Sequence, residues 1–292
     1  MGKYKRKWGD RKDARRCRDV LPMNQIILDI KTKRYMSELY LNEKIDVTNL
    51  MKYLKKQKED GKYITFFNAV SFAVGKTIYN RPILNRFVAN RHIYEHNNVS
   101  ISFVAKVEFN DESEEIMNVF PILEDDTVFT FGKKIQDKVK SIREKGDKGE
   151  GANDAIGILA KFPNLIRVPL VGILKWCDKH GWLPKSLMQD NLYYSSMMLS
   201  NLGTLKCNAI YHNLTELGTC SGMITIGEIK EEEVLENGKR IKKQFCEFGM
   251  TMDERASDGF YLIKSIKLLE YILNNPELLE GRADEKIEIK ER

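Results

Sequence analysis

The stretch Asp253-Glu254-Arg255-Ala256-Ser257-Asp258-Gly259 decides the fold. It follows an alternating apolar run and precedes a run with apolar residues three and four apart, so it joins a strand to a helix. A junction of this kind puts polar groups at the edge of a sheet, where they can face a ligand. Ser200-Asn201-Leu202-Gly203 stands in a comparable place, directly after an apolar strand. Either stretch alone is a weak signal, because such junctions also supply ordinary helix caps.

Working outward, the helix after the first stretch starts near Asp258, with Leu262, Ile263, Ile266, Leu269 and Leu273 on its expected buried stripe. Upstream, strands are expected over 244–252 and 222–229, joined through a hairpin turn at Glu236-Asn237-Gly238. A short strand over 194–199 leads into Ser200. The first part of the chain reads as a strand over 39–46, a helix over 47–60, and a helix capped by Thr65 that ends before Arg81-Pro82. Residues 99–109 alternate most cleanly as a strand, and 130–143 read as a charged surface helix.

The chain has 292 residues, 42% hydrophobic and 10% aromatic, which is globular composition and excludes wholesale disorder. No apolar run is long enough for a transmembrane helix, and no secretory signal is visible. Cys17, Cys177, Cys207, Cys220 and Cys246 form no CxxC and no cluster with metal-ligand spacing, so reduced thiols in a cytoplasmic protein without a metal are expected. The net charge of +6 arises largely in the first 18 residues. That segment reads as a solvated, partly mobile arm, and no nucleic-acid partner is expected for the body. The acidic block Asp111, Glu112, Glu114, Glu115, Glu124, Asp125 and Asp126 reads as a solvated loop.

Five segments follow: a basic arm over 1–20, a first core part over 21–144, an inserted helical segment over 145–190, a second core part over 191–281, and a charged tail over 282–292. The insertion is apolar but broken by Pro163, Pro169 and Pro184, which predicts two or three short helices. With Trp176 and Trp182 it could line an apolar channel or lie on a membrane surface; packing against its own domain is the expectation.

Taken together and in order, these stretches resemble the catalytic domain of dihydrolipoamide acyltransferases of 2-oxoacid dehydrogenase complexes and chloramphenicol acetyltransferase. The likeness runs from about Lys33 to Leu279. Lys33-Arg34 with Met36 is similar to the family's KRM segment, and Asp46-Val47-Thr48 to its DVT helix start. Pro82-Ile83-Leu84-Asn85 stands at its PxLN turn, Ser200-Asn201-Leu202-Gly203 at its SNLG, Ile226-Gly227-Glu228-Ile229 at its glycine-containing strand, and Asn275-Pro276-Glu277-Leu278-Leu279 at its DPELL ending. The resemblance implies an α/β, chloramphenicol acetyltransferase-like mixed-sheet sandwich with flanking helices, assembled as a homotrimer with interfacial active sites. No Asp-Lys-Ala lipoylation turn is visible, so a stand-alone member without a lipoyl group is expected.

The implied chemistry is acyl transfer between coenzyme A and a thiol, hydroxyl or amine of a small-molecule acceptor. In that family a histidine opening an HxxxDG motif takes the acceptor's proton, and a serine of the SNLG-like segment hydrogen-bonds the tetrahedral oxyanion. Carried over, Ser200 is the oxyanion donor, with Asn201 and Gly203 beside the coenzyme A. Asp258 is the structural carboxylate, Gly259 the close-packing turn, Arg34 the ion-pair partner of Asp258, and Arg255 a further structural residue.

The departure is that Glu254 stands at the histidine position. Glutamate's ordinary pKa lies about 2 units below histidine's, a deficit of roughly 3 kcal/mol in proton affinity. Burial can recover most of it, so Glu254 is either an unusual base or the ion-pair partner of an arginine. Among the histidines, His212 is best placed to substitute as base, or it is satisfied at a subunit contact; His92, His96 and His180 read as surface residues. Cys207 and Cys220 flank His212, although small buried residues are the simpler reading of both. Two functions follow: a coenzyme A-dependent acyltransferase with a non-standard base, or a catalytically inactive relative that binds an acyl ligand or serves assembly.

Overall fold

A computed structural model describes residues 6–106, 115–145 and 157–289. Its strands are β1 (Ala14–Arg16), β2 (Glu38–Asp46), β3 (Arg86–Ala89), β4 (His92–His96), β5 (Val99–Lys106), β6 (Glu115–Ile122), β7 (Met197–Asn201), β8 (Gly222–Glu236) and β9 (Lys239–Asp253). The helices that concern the site are α1 (Pro22–Ile30), α2 (Thr48–Glu59), α3 (Phe66–Asn80), α4 (Val128–Lys145), α5 (Asn164–Lys179), α6 (Lys185–Met188) and α7 (Gly259–Asn274).

The main sheet runs β2–β9–β8–β7–β5–β6. β7 is parallel to both of its neighbours and every other pair is antiparallel, so the sheet is mixed. A smaller sheet, β1–β4–β3, stands apart from it. One face of the main sheet buries Ile45, Ile101, Phe103, Leu199, Ile224, Ile226, Phe248 and Met250 against α2, α3, α4 and α7. Each such side chain contributes about 1.5–3 kcal/mol when fully buried, so this face is what holds the sheet to its helices. Strand alternation sends Ser102, Ser200, Thr225 and Gly249 to the opposite face.

An extended segment over 207–214 straps that outer face. The Glu228 N–H donates to the Cys207 carbonyl at 2.9 Å, the Ile210 N–H to Thr225 Oγ1 at 3.2 Å, and the Leu214 N–H to Glu38 Oε1 at 2.7 Å. The strap lies against bare backbone. A Cβ on Gly227 would sit 2.8 Å from the Ala209 nitrogen, and one on Gly249 would sit 2.5 Å from the Ile210 carbonyl oxygen. Only glycine permits that approach.

Several expectations change. The N-terminal segment is not a solvated arm: β1 pairs with β4, and Arg11 is 1% exposed. Its guanidinium donates to both Asp13 oxygens, at 3.0 and 2.6 Å, and to the Asp178 carbonyl. A buried cation needs such partners, and a run of charges in sequence does not reveal them. The charged helix over 130–143 is α4, yet Val128, Phe131 and Ile135 put one side of it in the core. In α7 the buried stripe is Leu262, Leu268, Leu269, Ile272 and Leu273, while Ile263 is exposed. Pro169 does not end a helix but sits inside α5. Asp111, Glu112 and Glu114 fall outside the described residues, as does most of the linker over 145–153.

Candidate active site

The end of β9 gathers the charged residues. β9 ends at Asp253, and a turn over 254–256, closed by the Ala256 N–H on the Asp253 carbonyl at 3.1 Å, brings Arg255 back to the buried side beside Asp253 and leaves Glu254 outside. Arg255 grips the Asp253 carboxylate with two hydrogen bonds, Nε to Oδ1 at 2.9 Å and Nη2 to Oδ2 at 2.7 Å. The Ser37 hydroxyl donates to Oδ1 at 3.1 Å, and Arg34 Nε stands 3.9 Å from Oδ2. The third Arg255 nitrogen, Nη1, donates to the Lys31 carbonyl at 3.1 Å, and Arg34 Nη2 to the Gly218 carbonyl at 2.7 Å. A carboxylate held by two arginines and a hydroxyl compensates charges that would be costly to bury alone.

Glu254 stands above this cluster. Its N–H donates to the Ser37 carbonyl at 3.0 Å, and its carboxylate accepts from the Lys31 ammonium. Both side chains of that ion pair are about one-third exposed, at 34% each. The arginine partner considered for Glu254 is thus replaced by a lysine, because Arg255 is committed to Asp253.

Two further expectations are corrected. Arg34 does not pair with Asp258; it lies against Asp253, on the buried side of the junction. Asp258 is exposed and caps α7, accepting from the Tyr261 N–H at 2.8 Å. Gly259 does not pack closely either, since a Cβ there would meet only Leu39 Cδ2, at 4.0 Å, an ordinary contact.

Ser200 occupies the other end of the site. It lies on the outer face of β7, half-exposed and without a hydrogen-bond partner among the described residues. Asn201 accepts from the Gly203 N–H at 3.1 Å and shapes the turn that follows. A Cβ on Gly203 would sit 2.7 Å from the Gly227 carbonyl oxygen, so this turn too rests on β8. Ser200 is in register with Thr225 and Gly249. Asp253, the last residue of β9, is therefore two strands across and four residues further along, roughly 16 Å away by strand spacing, and Glu254 follows it in the turn. One chain does not bring the two together.

His212 is exposed on the strap, between Tyr211, whose ring meets Tyr40 edge-on at 5.4 Å, and Asn213, which donates to Glu38. His96 is not a surface residue. Burial pushes its imidazole down to about 4, and its Nε2 lies 3.3 Å from the Thr219 carbonyl oxygen. His180 packs between Trp176 and Trp182. Cys220 is buried, which raises its thiol pKa, whereas Cys207 is exposed, so the two cysteines do not share an environment. Among the described residues no three His, Cys, Asp or Glu side chains gather as a cation site.

A cavity of about 400 Å³ opens beside the Asp253 cluster. Lys33, Arg34, Arg91, Lys179 and Arg255 line it against only Asp178 and Glu216. Arg34 and Arg255 are engaged with Asp253 and Arg91 lies 3.7 Å from Asp29, which leaves Lys33 and Lys179 to give the cavity most of its cationic rim. Such a rim suits an anionic ligand.

No family model matches this sequence, and no curated protein matches it. Solved structures do. A probable dihydrolipoamide acetyltransferase from Listeria monocytogenes superposes with a TM-score of 0.57 at 15% identity, over 88% of this chain and 94% of that one. The cubic core of the pyruvate dehydrogenase multienzyme complex gives 0.58 at 14% identity, over 89% and 93%. Chloramphenicol acetyltransferase gives 0.54 at 14% identity, over 86% and 94%. The chain has the fold of these acyltransferases, as the order of its motifs led us to expect.

Proposed function

We propose that copies of this chain assemble, as a trimer, and transfer an acyl group from a coenzyme A thioester to a small hydroxyl, thiol or amine acceptor at the contact between them. The acceptor attacks the thioester carbonyl while its proton passes to Glu254 of one copy. The tetrahedral oxyanion is held by the Ser200 hydroxyl of the next copy, with Asn201 and Gly203 shaping the turn beside it. Collapse of the intermediate breaks the carbon–sulfur bond, and the thiolate of coenzyme A takes the proton back from Glu254. The cationic cavity beside Arg255 offers a place for the phosphates of the donor.

The observation that carries this reading is the separation itself. Ser200 and Glu254 are both solvent-accessible on an acyltransferase fold, yet sheet spacing sets Ser200 roughly 16 Å from the end of β9 that carries Glu254, so in this reading they act together across two copies. A second reading, an inactive relative that binds an acyl ligand, is favoured by the Lys31–Glu254 ion pair, which gives the carboxylate a structural occupation.

Mixing separates the two. Ser200→Ala and Glu254→Gln are each expected to abolish thiol release from a panel of acyl-coenzyme A donors with simple acceptors. Refolding the two variants together at equal amounts should restore about a quarter of the wild-type sites, the fraction of contacts in a closed ring that join an intact serine to an intact glutamate. No restoration would count against an interfacial site. Absence of both turnover and acyl-coenzyme A binding in the wild type would overturn the enzyme reading.

A further inference from the structure

α5 is amphipathic in the wrong sense for a helix packed on a protein. Leu170, Leu174, Cys177 and Asp178 face the body, and the C-terminal end is fixed there by Asp178. That carboxylate accepts from the Gly218 N–H at 2.8 Å and from the Tyr194 hydroxyl at 3.0 Å. Leu165, Ile166, Ile173 and Trp176 recur at helical spacing on the flank next to that side, roughly a third of a turn around the helix, and they are exposed. Leu165 is 88% exposed and Trp176 52%. An ordinary surface helix hides such a stripe against its domain. The expectation that this segment packs on its own domain thus holds for the side that carries Asp178 and fails for the apolar stripe.

The charges around the stripe are of one sign. Residues 157–185 carry Lys161, Arg167, Lys175, Lys179 and Lys185 against one acid, Asp178, which is buried and already matched by Arg11. Trp176 and Trp182 meet edge-on at 5.0 Å at the C-terminal end of the stripe, and Trp182 is also exposed. α1 repeats the apolar exposure but not the basic charge: Met23, Ile26 and Ile30 are exposed and its one charged residue is Asp29, while Leu28 is buried on the other side and lines the same cavity as Asp178 and Lys179.

We propose that the outer face of α5 docks on an anionic lipid surface, lying in the plane of the interface. Apolar residues with tryptophan on one side, flanked by lysine and arginine, are what such a surface takes up. At 16 residues the helix is about 24 Å long, short of the ~30 Å needed to span the hydrocarbon, and Arg167 and Lys175 oppose crossing. Among the described residues no helix is long and apolar enough to cross a membrane. A two-fold contact fits this face poorly, because it would set the same lysines against each other with no carboxylate between them, and the contacts of a three-fold ring join two different surfaces and do not bring this face against itself. The proposal is independent of the acyl-transfer reading.

The full chain should co-sediment at low salt with phosphatidylcholine vesicles containing about one-third phosphatidylserine, and far less with phosphatidylcholine alone. Binding should fall as salt rises, with a blue shift of tryptophan emission on binding. Leu165→Glu with Ile173→Glu, at exposed positions that leave the melting temperature unchanged, should weaken partitioning at least about tenfold. Three results would overturn the proposal. One is no binding to anionic vesicles. Another is binding that the paired substitution leaves intact, which would place the lipid contact elsewhere. The third is a paired variant whose oligomeric state changes while neither protein binds vesicles, which would assign the face to a second copy.

Discussion

Arg255 holds Asp253 in a two-point grip, both side chains buried, one residue to either side of the half-exposed Glu254. The grip fixes the backbone on both flanks of Glu254 and so sets the direction in which its carboxylate points. The residue at the motif's histidine position thus owes its placement to a carboxylate outside the motif.

Asp253→Asn should therefore be among the most damaging conservative changes in the chain. It leaves the Arg255 and Arg34 guanidinium groups buried without a countercharge, at a cost of about 3–5 kcal/mol. Urea unfolding of the variant measures this directly. A loss below 1 kcal/mol or so would mean that the main-chain carbonyls around Arg34 and Arg255 suffice to satisfy them.

The Lys31–Glu254 pair should contribute little by comparison. Its partners are about one-third exposed, and water screens them, so a double-mutant cycle with Lys31→Ala and Glu254→Gln is expected to give a coupling of about 0.2–1 kcal/mol. A small coupling leaves the Glu254 carboxylate free to exchange Lys31 for a ligand. A coupling of several kcal/mol would make the pair structural and favour the inactive reading.

His96 should make folding sensitive to acid. Burial lowers its pKa to about 4, below the ordinary value of about 6.5 that it regains on unfolding. Between these values the unfolded chain binds the extra proton. The stability due to neutral His96 is thus complete above about pH 6.5 and is lost as pH falls toward 4. His96→Gln, whose amide can still donate to the Thr219 carbonyl, should lose less stability between about pH 7 and pH 5 than the wild type. Equal losses in the two proteins would sink the assignment.

Gly249→Ala should disturb the strap selectively. The added Cβ would sit 2.5 Å from the Ile210 carbonyl oxygen and 2.7 Å from Thr225 Oγ1, so the segment over 207–214 must lift, at a cost of about 1–3 kcal/mol. Limited proteolysis should then cut within 207–214 faster than in the wild type. Gly172→Ala in α5, where nothing lies within 4 Å, is the control and should be neutral or slightly stabilising. Unchanged cleavage in Gly249→Ala would show that the strap accommodates the methyl group.

Much of the fold was legible in the residues. The Thr65 cap, the alternation from Val99 to Phe103, the Asn237-Gly238 turn and the Asp258 cap are local signals, each set by backbone chemistry within a few residues. By themselves they gave an α/β domain; the particular fold was expected from the resemblance of the ordered motifs between Lys33 and Leu279 to a known family, and the solved structures share it. The identity of the Arg34 partner was not local. It depends on which of two carboxylates, Asp253 or Asp258, ends on the buried side of the β9–α7 junction, and only the packed chain decides that. The same holds for Arg11, which reads as one more charge in a basic run until β1 pairs with β4 and brings it to Asp178. It holds for α5 as well, whose apolar residues leave a channel, a membrane surface and its own domain all open, with packing on the domain as the expectation. Sequence periodicity determines that a helix has two faces. Which face meets the body depends on where its anchor, here Asp178, is held by residues distant in the chain.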